Sequence, residues 1–123
     1  MDKAQALHSF WSSFNLPAYD QLTVPDNAQM PYITYVGVVD KIGSPVALTG
    51  SIWYRSSSWK DISEKADEIS ERINRYGHSV VPFDNGYLYL TAGNPFAQRM
   101  SDDTDNMIRR IYINIMAEYI TAY

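Results

Sequence analysis

The residues able to do chemistry are few and badly placed for it. Two histidines, His8 and His78, stand far apart, and the chain has no cysteine to accompany either. A nucleophile triad would need a serine presented beside one of them, yet no G-x-S-x-G elbow occurs. Zinc spacings are absent as well, so both histidines read as surface or edge residues. "SSWK" carries the S-x-x-K spacing through Ser57 and Lys60 at a helix start. A lysine can activate a serine across one helical turn there, but such sites also need strands and motifs that this chain lacks. Helix capping accounts for the serines. Asp102, Asp103 and Asp105 in "SDDTDN" form an acidic turn of the kind that suits a hard cation. The calcium-loop pattern then fails, because the next ligand position after Asp105 holds Met107 and no glycine stands at the sixth place in either register. Arg99, Arg109 and Arg110 lie close by in sequence, so the simpler expectation is a salt-bridged loop, within the subunit or between subunits. No catalytic residue, metal or cofactor is expected.

The elements that must position these charges can be read from periodicity. Ala4 to Phe14 places Leu7, Phe10, Trp11 and Phe14 at helical spacing. Asn15 to Pro31 contains Pro17, Pro25 and Pro31 and predicts a long connection, strapped to the fold by Leu16, Tyr19 and Leu22 or reaching a neighbour. "PYITYVGVVD" and "ALTGSIWYRS" are β-branched and aromatic, with Gly43 and Pro45 between them, and predict a hairpin. In "SSWKDISEKADEISERINRYG" the stripe Trp59, Ile62, Ala66, Ile69, Ile73 and Tyr76 predicts an amphipathic helix. Ser58 would cap it, and Gly77 would stop it. Asp61 with Lys65, Glu68 with Arg72 and Glu71 with Arg75 are acid-before-base pairs on its outer face.

"HSVVPF" and "YLYLTA" around Asn85-Gly86 predict a second hairpin with a type I′ turn. From Pro95 the chain reads as a loop, and from Met107 to Tyr119 as a strand. There Ile111, Ile113, Ile115, Ala117 and Tyr119 point to the core, and Tyr112, Asn114, Met116 and Glu118 point away. The order predicts a single α+β domain over residues 1–123. It would be an antiparallel sheet of about five strands with two helices packed on one face.

Composition bounds the rest. The chain has 123 residues, 46% apolar and 20% charged, and ten tyrosines, which suits one globular core with half-buried sheet surface or an interface. A net charge of −4 argues against gripping phosphate backbones, so no nucleic-acid specificity is expected. No apolar run is long enough for a membrane span, and "MDKAQALHSF" does not read as a signal peptide. Synthesis in a cytoplasm is the expectation, and the lack of cysteine fits a reducing compartment.

The runs "ALHSFWSSFNLPAYDQLTVPDNAQMPYITY", "PVALTGSIWYRSSSWKDISEKADEISERI" and "GNPFAQRMSDDTDNMIRRIYINIMAEYIT" resemble a group of small prophage proteins akin to the tail-terminator or tail-completion proteins of tailed bacteriophages. The resemblance spans Ala6 to Thr121 and lies in overall pattern, with no catalytic signature to transfer. It implies a small α+β structural protein of the virion tail or neck, made in the host bacterial cytoplasm. Such a protein forms a ring with itself, usually a hexamer, that caps the tail tube protein and joins it to a head-completion or connector protein. A neck protein of the same virion is the alternative. A ligand-binding dimeric α+β domain is a further one, but no convergent polar groups in an apolar cavity are found for it. Arg99, Asp102, Asp103, Asp105, Arg109 and Arg110 are the expected subunit or partner contacts.

Overall fold

The computed structural model describes residues 1–37, 44–102 and 104–122. Its elements are α1 (Lys3–Ser12), β1 (Ala18–Asp20), β2 (Tyr32–Tyr35), β3 (Val46–Arg55), α2 (Lys60–Asn74), β4 (Ser79–Phe83), β5 (Gly86–Met100) and β6 (Ile108–Thr121). The six strands form one sheet in the order β1-β2-β3-β6-β5-β4. All neighbours are antiparallel except β1 and β2, which are parallel. The expected α+β class and the two helices on one face hold. The sheet has one strand more than expected, and it is mixed.

That extra strand arises in the proline-containing connection. Ile33 N–H donates to the Pro17 carbonyl at 2.8 Å and Gln21 N–H to the Tyr35 carbonyl at 2.9 Å, which draws Ala18–Asp20 alongside β2. Three residues are too few to display an alternation, so sequence pattern could not reveal β1. Leu16 packs against the core as expected, whereas Leu22 is 86% exposed. Gly43, expected in the first hairpin turn, lies outside the described residues.

Helix α1 begins with a capping box, in which Asp2 accepts from Gln5 N–H and the Gln5 side chain accepts from Asp2 N–H, each at 2.8 Å. It buries Ala6, Leu7, Phe10 and Trp11. In α2 the buried stripe is Ile62, Ala66, Ile69 and Ile73, with Trp59 partly buried at its start. The expected last member, Tyr76, is 78% exposed, because the helix ends before it and Gly77 takes a φ of 80°. Trp59, not Ser58, occupies the capping position, although the Ser58 hydroxyl accepts from Lys60 N–H at 3.0 Å. Of the three expected ion pairs, Glu71 with Arg75 forms. Lys65 turns instead to Glu68 and the Phe14 carbonyl, and Arg72 lies over the Phe14 ring and donates to Ser13. These contacts tie α2 to the end of α1.

The second hairpin turns one residue early. Phe83 pairs with Gly86, so the loop is Asp84-Asn85, and of its two residues Asn85 alone has positive φ, at 67°. A type I′ turn needs two such residues, and this is not one. A larger departure follows. β5 does not stop at Ala92 but runs to Met100, absorbing Gly93 to Phe96 as a bulge between the pairs Ala92–Ile115 and Ala97–Ile113. Asn114 stands alone opposite that bulge and its side-chain amide donates to the Pro95 carbonyl at 3.0 Å. Proline had marked the segment as a loop, but a bulge can carry a residue that lacks a donor.

The core lies between the helices and one face of the sheet. Ile111, Ile113, Ile115, Ala117 and Tyr119 of β6 are buried there with Leu48 and Ile52 of β3 and Leu88 and Leu90 of β5. Trp11 lies parallel to Tyr35 and close over Gly50, where an added Cβ would stand 2.7 Å from the indole. The opposite face bears no helix among the described residues, and many of its side chains, Trp53, Tyr89, Tyr112, Asn114, Met116 and Glu118 among them, are half-buried.

Ile113→Ala should therefore cost about 2–5 kcal/mol of stability in denaturant unfolding, since a buried branched side chain is lost from mid-strand. Gly50→Ala removes no contact, and stiffening the unfolded chain is worth only about 0.4–1 kcal/mol. Displacing a fully buried indole should outweigh that gain, so a net loss of about 1–3 kcal/mol is expected. A Gly50→Ala protein melting above the parent would contradict the close packing of Trp11.

Candidate functional site

The charges of interest gather at one end of the sheet, where β3 and β5 finish and β6 begins. Asp102 is committed to its own turn. Its Oδ1 accepts from the Thr104 hydroxyl at 2.7 Å, from Thr104 N–H at 2.8 Å and from Asp105 N–H at 3.2 Å. These bonds, led by the one from the Thr104 hydroxyl, hold its carboxyl below the ordinary aspartate range. Asp105 accepts from the Arg55 guanidinium through Oδ2 and from Met107 N–H, at 2.9 Å, through Oδ1. The hydrogen bond from Arg55 is the main reason that its carboxyl is also held down. Asp103 lies outside the described residues. The expected salt-bridged loop is thus present in part, but its base is Arg55, which sequence proximity could not nominate.

The three expected arginines divide between the two faces of the sheet. Arg109 has the parity of the core residues of β6, and Arg99 pairs with Ile111, so both fall on the helix side. There they share one ring, with the Arg99 guanidinium 4.9 Å and that of Arg109 5.3 Å from the centre of Trp59. Arg109 also donates to the carbonyls of Asn106 at 2.6 Å and Ser57 at 3.1 Å, which closes the β3–α2 connection onto the start of β6. Its Nε is buried with no hydrogen-bond partner among the described residues. Arg99 is exposed, and no carboxylate pairs with it among the described residues.

Arg110 lies on the helix-free face. It donates to the Ser51 hydroxyl at 3.0 Å and sits 4.6 Å from the Trp53 ring and 5.8 Å from that of Tyr112. Beyond Trp53 the row continues through Tyr32 and Tyr19, and the Trp53 indole donates to Thr34 at 2.9 Å. The excess of tyrosine is therefore partly sheet packing, on the side away from the core. Sequence reasoning placed Trp59 in the apolar stripe of α2 and Trp53 in a strand, and assigned neither to the arginines. An aromatic at each end of the S-rich linker was the available signal.

The other chemical candidates have ordinary structural neighbours. Lys60 approaches Glu64 at 3.3 Å, and the Ser57 carbonyl holds Arg109. His8 Nδ1 lies 3.0 Å from the Tyr35 hydroxyl, and His78 stacks on Tyr89. No group of three metal-ligating side chains occurs among the described residues.

Both turn carboxylates have folded values depressed below the unfolded value of about 3.9, so they stabilise the fold while ionised and cease to do so as pH falls through the folded values. Asp102→Asn and Asp105→Asn should melt below the parent near neutrality. The difference should close in thermal melts as acidification passes below the ordinary aspartate range of about 3.9. A gap that is constant with pH would show that the charge on these groups is not what holds the turn.

No protein-family model matches the chain, and no curated protein matches it. Among solved structures it is similar to a chain of the virion of the native gene transfer agent (GTA) particle. The TM-score is 0.59 at 16% identity, over 92% of this chain and 83% of that one. At that identity the likeness establishes a shared fold.

Proposed function

We propose that this chain is a structural protein of a phage-like virion, and within the virion the ring-forming tail terminator that caps the tube and offers a surface to the head. One observation carries the reading: a fold shared over 92% of the chain with a chain of a virion particle. The sequence resemblance to tail-terminator proteins supports the finer assignment, and so does the location of the charges. A ring built head-to-tail needs one edge of each subunit to complement a different edge of the next. Charges at such contacts fix register and reject wrong neighbours more than they add affinity. Arg99, Asp102, Asp103, Asp105, Arg109 and Arg110 are proposed for that work. Arg99 is the member whose charge is most available, while Asp102, Asp105, Arg109 and Arg110 are largely engaged within the subunit. No enzymatic activity is proposed.

Deleting the gene from a cell that makes the particle should give tails of uncontrolled length without heads in electron micrographs, restored by supplying the gene in trans. A reconstruction should place a ring of this chain between tube and head. Normal tails beside heads that leak their DNA would favour a neck protein instead. Normal particles would refute both.

A further inference from the structure

The sheet has two unlike edges at the same level. Following the strand registers across, Ala18 lies in one row with Ile33, Ile52, Ile111 and Arg99, and Tyr19 in the next with Thr34, Ser51, Tyr112 and Gln98. At that level β1 forms one edge. β5 forms the other, because β4 covers only Gly86–Leu90 and no described strand lies outside Ala97–Met100. All four of these residues are exposed, and a groove bounded by Ser63 and Asp67 of α2 runs beside them.

Natural sheet edges are usually blunted by proline, lysine or a bulge. β4 carries Pro82, but Ala97–Met100 has neither proline nor lysine, and the bulge ends before it. The segment's one charge, Arg99, guards it against a like-charged strand, while its backbone groups stay open to a complementary one.

We propose that neighbouring copies join edge to edge, with Ala97–Met100 of β5 in one copy pairing with Ala18–Asp20 of β1 in the next, so that one sheet runs on from subunit to subunit. The inference rests on the ring reading and names its joint. Direction favours it, since β1 and β5 run opposite ways and the new pair would be antiparallel. Charge favours it too. Arg99 and Asp20 both lie on the helix side of their strands, within cross-strand or diagonal reach in this pairing. Pairing β5 with β5 about a twofold would instead bring two Arg99 side chains together, and it would close a dimer.

The chain has no cysteine, which permits a clean test. Gln98→Cys combined with Tyr19→Cys, carried in assembled particles and oxidised, should give a ladder of covalent oligomers on a non-reducing gel. Val80→Cys with Tyr19→Cys, which samples the β4 edge, should give none. A ladder from the Val80 pair alone, or none from Gln98 while a ring of this chain is visible in the particle, would overturn the edge assignment and leave the ring intact. Absence of any ring would remove the reading beneath it. As a second measurement, Arg99→Asp should lower the yield of joined particles at least tenfold, and Arg99→Asp with Asp20→Arg should recover most of it. An Arg99→Asp particle yield equal to the parent would count against the pairing.

Discussion

Everything else in this fold hangs on the alternation of β6. It is the strand with long partners on both sides, β3 through ten residue pairs and β5 through eleven. Side chains on a strand face opposite ways in turn, so the run of buried isoleucines decides which face must be covered. Both helices answer that demand. Their own apolar stripes have nowhere else to go, and Trp11 can lie flat because Gly50 presents no Cβ beneath it.

The same parity sorts the arginines. Arg109 and Arg110 are adjacent, and adjacency on a strand means opposite faces. One is drawn into the seam where α2 starts and holds backbone carbonyls. The other lies on the helix-free side among tyrosines and Trp53. A cluster that looks uniform along the chain is thus two environments, joined by a turn in which Asp102 and Asp105 are already hydrogen-bonded. Arg99 is left as an exposed charge on an open edge.

The role proposed above suits this arrangement. Rings need shape, a fixed register between unlike edges, and charges that discriminate between neighbours, and none of these demands a pocket. The aromatic row on the helix-free face adds a broad surface whose members lean on one another, with Trp53 bonded to Thr34 and Arg110, over Trp53, bonded to Ser51.

The sequence by itself determined the class, the two helices with their buried stripes, the face of β6 that meets them, and the stop at Gly77. Each of these rests on a period of 3.6 or 2 sustained over many residues, or on a backbone conformation that few residues tolerate. Tertiary structure alone decided the three-residue strand β1, the passage of β5 through Asn94 and Pro95, and the partner of Asp105. β1 exists because two backbone donors and acceptors meet across a fold that local pattern cannot see. The bulge exists because Asn114, on another strand, supplies the amide that occupies it. Asp105 found Arg55 because strand pairing makes neighbours of residues fifty positions apart, and proximity along the chain carries no information about that.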